Sequence, residues 1–212
     1  MHEPAGGAPP SGLRERKKQK TRDEIAAAAL RLFAERGYAA TTVADIAAAA
    51  EVSERTVYAY FPTKEDVLFS DHAALRRGLA EALERRPAGA TTLDTLRDYI
   101  VDNLSLLDEQ ARMRWQIVAG NPVLLGHQRA RQAELGSLIA AAIATELGES
   151  SDDLRPQLVT AAVIAAFTAT YEHRFATGST TASRAQAVAV IDEAITFLRG
   201  GLDSIRAFPK PY

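Results

Sequence analysis

The fold of this chain is decided by residues 41–64, which read TTVADIAAAAEVSERTVYAYFPTK. A short helix is predicted over residues 43–50, and Ser53 is a suitable cap for a second helix that continues to about Tyr60. Pro62 ends this second helix, because the residue before a proline is biased away from the helical conformation. Two short helices joined by a tight turn predict a helix-turn-helix.

The helix that precedes this stretch has one apolar face. It is predicted over about residues 18–36, and Gly37 is well placed to stop it. Its apolar residues at helical spacing are Ile25, Ala29, Leu32 and Phe33. Packed against the two short helices, this face would complete a three-helix N-terminal domain over residues 18–62.

The N-terminal end is basic, and residues 1–17 are predicted to be a disordered tail that begins with a segment rich in Pro, Gly and Ala. The densest run of basic residues is Arg14, Arg16, Lys17, Lys18, Lys20 and Arg22. Residues 1–64 carry ten Lys and Arg against eight Asp and Glu, a formal charge of +2, whereas the whole chain carries −2. This asymmetry suggests a polyanionic partner near the N-terminus.

The composition is that of a soluble globular protein with an all-α fold. Hydrophobic residues make up 47% of the 212 and charged residues 25%, and few segments show the alternation of a strand. The chain has no cysteine, which excludes disulfides and thiolate chemistry. The longest uncharged run, residues 156–171, is shorter than the roughly 20 residues that a membrane span requires. We therefore expect no membrane partner.

A larger helical domain is predicted over residues 63–208. Its first helix would run without interruption from Thr63 to Arg85 and so connect the two domains. About five further helices follow, which gives about nine in the whole chain. The size of this domain exceeds what dimerisation alone would need.

The last helix, predicted over about residues 184–205, carries an a/d heptad pattern. The seam consists of Val188, Ile191, Ile195, Leu198 and Leu202. One interpretation is that these residues pack within a single protomer. We predict instead a homodimer interface, in which each protomer contributes its two C-terminal helices to a four-helix bundle.

Residues 21–68 resemble the TetR family of bacterial transcriptional regulators. The match consists of Ile25, Ala28, Phe33 and Gly37, followed by residues 41–68, TTVADIAAAAEVSERTVYAYFPTKEDVL. Glu51 departs from the pattern, because family members very often have glycine in this turn. The resemblance implies a cytoplasmic bacterial protein that binds a palindromic operator in double-stranded DNA as a homodimer.

The motif supplies candidate DNA contacts with different chemistry. Hydroxyls at helix N-termini suit phosphates, arginine prefers the edge of guanine, and tyrosines can reach phosphates or thymine methyl groups. Lys64, at the start of the fourth helix, is the expected phosphate clamp because of its register with the motif. The predicted set is Thr41, Thr42, Val43, Ser53, Glu54, Arg55, Thr56, Tyr58, Tyr60 and Lys64. Plain helix capping is the alternative for the hydroxyls, and a salt bridge to Glu54 or Glu51 is the alternative for Arg55.

The C-terminal domain contains aromatic and polar residues that would line a small-molecule site between helices, as the resemblance implies. They are Tyr99, Asn103, Met113, Trp115, Gln116, Phe167 and Tyr171. Ordinary core packing is the alternative for each of them. The main prediction is a repressor that a small-molecule effector releases from its operator. The alternative is an architectural or activator-type helix-turn-helix protein without a ligand.

The sequence gives no indication of an enzyme. The four histidines, His2, His72, His127 and His173, lie far apart and lack the spacing of a metal site. The sequence contains neither a glycine-rich phosphate loop nor a nucleophile elbow. We therefore predict no catalytic activity, no metal and no cofactor.

Overall fold

The computed structural model describes residues 12–103, 109–176 and 184–207, and these ranges contain ten α-helices and no strand. The helices are α1 (Leu13–Arg36), α2 (Val43–Ala49), α3 (Glu54–Tyr60), α4 (Lys64–Leu68), α5 (His72–Glu84), α6 (Thr92–Asp102), α7 (Glu109–Ala119), α8 (Pro122–Leu147), α9 (Leu154–Ala176) and α10 (Arg184–Ala207). The chain divides into two compact units, Met1–Ser70 and Asp71–Tyr212. No helix in these ranges is long and apolar enough to cross a membrane. The predicted all-α fold is confirmed.

In the N-terminal unit, α1 packs on α2 and α4, and α2 packs on α3. The apolar stripe predicted for α1 is buried, since Ile25, Ala29, Leu32 and Phe33 are at most 7% exposed. Gly37 ends α1 as predicted, with a φ of +85° that favours glycine and an N–H that donates to the carbonyl of Phe33 at 3.0 Å. This packing holds the two short helices of the helix-turn-helix.

Helix α1 begins at Leu13, so the prediction of a disordered tail is wrong for residues 13–17. Residues 1–11 lie outside the part of the chain that the structure describes. Arg, Lys, Glu and Gln, which dominate the start of α1, have high helix propensity, and Glu15 lies in the first turn, where a negative charge is favourable. These residues therefore extend the buried part of α1 as an exposed helical segment.

The single helix predicted over residues 63–85 is two helices. α4 ends at Leu68 and α5 begins at His72, so the proposed continuous connection between the domains is wrong. α4 packs on α1 and belongs to the N-terminal unit, which places the boundary after Ser70 rather than after residue 62. Because the apolar spacing continues unchanged across the break, periodicity alone could not reveal it.

The predicted dimer seam lies in the core of the protomer. Ile191, Ile195, Leu198 and Leu202 are only 1–4% exposed, and Val188 is half-buried. These buried residues pack with others from α5, α6, α8 and α9, namely Leu79, Leu93, Leu96, Ile139, Ile143, Val159 and Val163. An a/d spacing identifies the apolar side of a helix but not the chain that supplies its neighbour. The prediction that these residues form the dimer interface is therefore wrong, but they do form a packing surface inside the protomer.

Glu146, near the end of α8, joins three segments of the C-terminal unit. Its carboxylate accepts hydrogen bonds from the backbone N–H of Thr92 at 2.7 Å and from Arg86 at 3.2 Å. It also forms an ion pair with Arg206 of α10. The side chain is only 12% exposed, so these donors replace most of its hydration.

Candidate DNA-binding surface

The N-terminus of α2 is closed by a capping box between Thr42 and Asp45. The hydroxyl of Thr42 accepts from the backbone N–H of Asp45 at 3.1 Å, and the Asp45 carboxylate accepts from the backbone N–H of Thr42 at 2.8 Å. Hydrogen bonds from the Thr42 side chain and backbone lower the pKa of Asp45 below its ordinary value. Thr42 remains exposed, so the predicted phosphate contact is geometrically open to it. Val43 is half-buried as the first residue of α2.

Thr41 lies inside the N-terminal unit instead of on its surface. It is 1% exposed, and its hydroxyl donates to the carbonyls of Gly37 at 2.9 Å and Leu32 at 3.3 Å. The hydroxyl therefore satisfies carbonyls at the end of α1. The prediction that Thr41 contacts phosphate through its side chain is wrong, although its neighbour Thr42 is exposed as expected.

The turn between α2 and α3 is a Schellman motif with a carboxylate-bearing residue at its left-handed position. Glu51 has φ +54° and is the one non-glycine residue with a positive φ in the described ranges. The N–H of Val52 donates to the carbonyl of Ala47 at 3.0 Å, and the N–H of Glu51 donates to Ala48 at 3.2 Å. The departure from glycine at Glu51 therefore places a residue with a Cβ in a strained, left-handed backbone conformation.

Helix α3 presents a polar outer side and is anchored from within. Val57 and Phe61 are 1% exposed and pack inside the N-terminal unit. The outer side contains exposed Glu54, Arg55 and Tyr58, with half-exposed Thr56 and Tyr60. Ser53 caps the helix by accepting from the N–H of Thr56 at 3.1 Å, and the two hydroxyls lie 2.8 Å apart. Within the described part of the chain, Arg55 forms no ion pair, so its guanidinium is available to a ligand.

Lys64 is committed to the fold of the N-terminal unit. Its ammonium donates to the carbonyls of Tyr38 at 2.8 Å and Thr41 at 3.0 Å, and lies 4.2 Å from the centroid of the Tyr38 ring. The Tyr38 hydroxyl donates to Glu65 at 2.5 Å; burial, and then this carboxylate, raise the pKa of Tyr38 well above its ordinary value. Lys64 thus ties α4 to the loop before α2, which is a role that the motif did not indicate.

From the sequence alone, Arg22 is one member of the basic run. In the structure its side chain is half-buried inside the N-terminal unit. Its guanidinium donates to the carbonyls of Tyr60 at 3.0 Å and Ser70 at 3.2 Å, and it lies 4.3 Å from the centroid of Phe61. Its spacing in the sequence could have indicated this burial, because Arg22 precedes Ile25 by three residues and so lies on the buried face of α1. A charge on an apolar face must find partners inside the fold.

The other basic residues at the start of α1 form an exposed cationic segment. Arg14, Arg16, Lys17, Lys18 and Lys20 are all exposed. Lys20 pairs with Glu24 at 3.7 Å, a solvent-exposed contact of little energetic weight. The segment is helical, so its charges are held on a rigid scaffold.

Five of the seven candidate ligand residues of the C-terminal unit, the aromatic ones and Met113, lie in two groups. Tyr99, Phe167 and Tyr171 are half-buried and pack against the same hydrophobic core, whereas Met113 and Trp115 are half-buried on α7, which packs on α8. The Tyr99 hydroxyl donates to the carbonyl of Leu75 at 2.8 Å, and burial raises its pKa. The Asn103 amide donates to the carbonyl of Tyr99 at 2.7 Å at the end of α6. Gln116 is exposed, so its predicted inward position is wrong.

The N-terminus of α5 is fixed by two polar contacts inside the C-terminal unit. Asp71 accepts from Arg114 of α7 at 2.6 Å, and His72 lies 3.1 Å from Glu134 of α8. The contact with His72 lowers the pKa of Glu134. No group of three or more potential metal-ligating His, Asp or Glu side chains occurs in the ranges that the structure covers.

Both units match families of known regulators. Residues 25–70 match the bacterial regulatory proteins of the tetR family, and residues 105–203 match the MftR C-terminal domain. The solved structure of Bacillus subtilis FadR with stearoyl-CoA has a TM-score of 0.63 and 22% identity, covering 84% of this chain and 98% of that one. SmeT with triclosan has a TM-score of 0.62 and 22% identity, covering 84% and 91% respectively. These two likenesses concern the fold.

The sequence relationship extends across both units. The HTH-type transcriptional regulator TcmR of Streptomyces glaucescens is 35% identical to this chain over 162 residues, which cover 71% of each protein. The aligned length exceeds that of the helix-turn-helix unit alone, which ends at Ser70. With the capped α2, the exposed side of α3 and these matches, the chain belongs to the TetR family of bacterial transcriptional regulators.

Proposed function

We propose that this regulator is a homodimeric repressor that leaves a palindromic operator when a small molecule binds its C-terminal unit. The observation that carries the proposal is the outer side of α3, where Arg55 and Tyr58 are exposed while Val57 and Phe61 anchor the helix. A helix held in this way can enter the major groove and present side chains to base edges. As a DNA-binding protein it would act in the bacterial cytoplasm, without a cofactor or a catalytic step.

The proposed dimer uses the outer faces of α9 and α10, because the heptad seam of α10 is occupied inside the protomer. Phe197 is 74% exposed on α10, and Leu154 and Leu158 are 68% and 51% exposed on α9. The same side of α9 continues with small exposed residues: Ala161, Ala162, Ala165 and Ala169. Large exposed apolar side chains next to small ones suit the close packing of two helix pairs.

The proposed effector site lies among the half-buried aromatics of the C-terminal unit, with Tyr99, Phe167 and Tyr171 as its central residues. Their rings offer apolar contact, and the Tyr99 hydroxyl offers a hydrogen-bonding group. Solved relatives of the same fold hold stearoyl-CoA in one case and triclosan in another, which supports a hydrophobic effector.

The proposed route of control passes through the start of α5. Asp71 and His72 are tied to α7 and α8, so a ligand that shifts those helices would also shift the first residues of the C-terminal unit. The repressor would then favour a dimer whose two α3 helices are spaced wrongly for the operator. Because this is a coupling free energy between two sites, operator DNA must weaken effector binding by the same factor.

A thermal-shift screen of the full-length protein tests the effector. The probes are long-chain acyl-CoA esters and apolar phenols, in both cases with a matched polar control compound. A compound that raises the melting temperature and also releases operator DNA supports the ligand-responsive repressor. If no probe does either while operator binding is intact, the architectural or activator alternative replaces it.

A further inference from the structure

The guanidinium of Arg22 connects three places in the N-terminal unit. One nitrogen donates to the carbonyl of Tyr60, the last residue of α3, and the other donates to the carbonyl of Ser70. The guanidinium carbon, Cζ, lies over the ring of Phe61, 4.3 Å from its centroid. Arg22 itself is half-buried on the inner face of α1.

These contacts fix the C-terminal end of α3. The last carbonyls of a helix have no partner within the helix, and a cation at this end is favourable because of the helix dipole. Phe61 is buried below the guanidinium, and Pro62 follows it, so the chain leaves α3 in one direction. Arg22 therefore holds the end of the helix that carries the exposed residues Arg55 and Tyr58.

The second carbonyl lies at the end of the N-terminal unit. Ser70 is the last residue of that unit and lies in the break between α4 and α5. The next residue, Asp71, is held by Arg114 inside the C-terminal unit at 2.6 Å. Ser70 is thus bonded to an arginine of the N-terminal unit, and the next residue, Asp71, is bonded to an arginine of the C-terminal unit. The arginine that holds Ser70 is the one that also holds the end of α3.

We propose that Arg22 is a positioning residue for operator recognition, which fixes the end of α3 against the carbonyl of Ser70 and so couples the connection between the units to the recognition helix. The inference rests on the proposed function, because it assigns α3 to the operator. The two carbonyls are held by separate nitrogens of Arg22, Nη1 and Nη2, at the same time as the guanidinium lies over Phe61. A lysine at this position would have to reach both carbonyls from a single ammonium and has no planar group to stack on the ring.

The test compares Arg22→Gln and Arg22→Lys with Arg31→Gln in the full-length protein. Arg31 is an exposed residue of the same helix, so its variant matches the change in charge. Affinities for operator and for random DNA are measured over a range of salt concentrations, well below each melting temperature. Both Arg22 variants should lose about tenfold in operator affinity, the scale of a charge-assisted hydrogen bond. Random-DNA affinity and the salt slope should match those of Arg31→Gln.

Three results would overturn the proposal. If Arg22→Lys binds like the wild type while Arg22→Gln loses affinity for all DNA with a smaller salt slope, Arg22 contacts a phosphate. If only the melting temperature falls, Arg22 is merely structural. If hydrogen exchange of the Phe61 amide, which bonds to Val57 at 2.8 Å, is unchanged in folded Arg22→Gln, the end of α3 does not depend on it. Failure of the wild type to discriminate operator from random DNA would instead count against the proposed function.

Discussion

At the scale of single residues, the polar side chains of the N-terminal unit divide between holding the fold and facing outward. Thr41 and Arg22 donate to backbone carbonyls at the ends of α1 and α3, and Lys64 donates to carbonyls of the loop before α2. Arg55 and Tyr58 are exposed on α3 and take no part in that framework. Base recognition is therefore expected to depend on few side chains, and the framework residues are expected to act through the orientation of α3.

Arg55→Ala should reduce the discrimination between operator and random DNA. If the guanidinium makes a bidentate contact with guanine, the loss should be about 1–3 kcal/mol. The affinity for both DNAs is measured by fluorescence anisotropy, with Arg31→Ala as the control for the loss of one positive charge on the same unit. An unchanged ratio of the two affinities would remove Arg55 from base readout.

Glu51→Gly should stabilise the protein. The left-handed conformation at φ +54° costs a residue with a Cβ about 1 kcal/mol relative to glycine. Urea unfolding of the full-length chain measures the gain, and Glu51→Ala is the matched control, because it removes the carboxylate and keeps the Cβ. Equal stability of the two variants would show that the backbone conformation is not the source of the effect.

At the scale of elements, the basic start of α1 is a helical segment rather than the tail that its composition suggests. Its exposed charges, Arg14, Arg16, Lys17, Lys18 and Lys20, are held in one register by the helix. Such a segment can neutralise phosphates beside the recognition site without reading bases. It would raise the affinity of the protein for every DNA sequence.

Replacing these five basic residues with Gln should flatten the salt dependence of DNA binding. Each phosphate contact that is lost lowers the slope of log K against log salt by about 0.9. The slope is measured on operator and random DNA, and Arg129→Gln on the exposed side of α8 is the control. A slope equal to that of the control would show that this part of α1 does not meet DNA.

The elements also show why the connection between the units was mispredicted. In the sequence, one apolar face at steps of three and four residues runs through Leu68, His72, Leu75 and Leu79. In the structure this face is divided, because α4 packs against α1 whereas α5 packs in the core of the C-terminal unit. The break includes Ser70, whose carbonyl accepts a hydrogen bond from Arg22. A side chain 48 positions away in the sequence makes this contact, so no local pattern could predict it.

At the scale of the whole molecule, the helix-turn-helix could be predicted in detail, whereas the packing partner of the α10 seam could not. Caps such as Thr42 and Ser53, and the inward positions of Val57 and Phe61, are set by neighbours within a few residues. Which apolar face remains exposed depends on how α6, α9 and α10 fill the core. The heptad pattern of α10 identified the face that is filled.

Phe197→Glu should shift the protein from dimer to monomer and lower operator affinity while leaving the fold intact. The side chain is 74% exposed, so a charge there costs the protomer little, but it would be buried in the proposed interface. Analytical ultracentrifugation measures the dimer, a binding titration measures operator affinity, and thermal melting checks the fold. Val123→Glu, at a residue that is 65% exposed on α8, is the matched control. Equal dimer stability in the two variants would rule out this face.

Whether two copies of α3 read a palindrome is tested by footprinting followed by a binding titration. DNA upstream of the protein's own gene supplies the footprint, and the titration compares the protected palindrome with a single half-site and with random DNA at one salt concentration. We expect a symmetric footprint and a palindrome bound at least about 10³-fold more tightly than random DNA. Equal affinity for the palindrome and for random DNA would contradict this expectation.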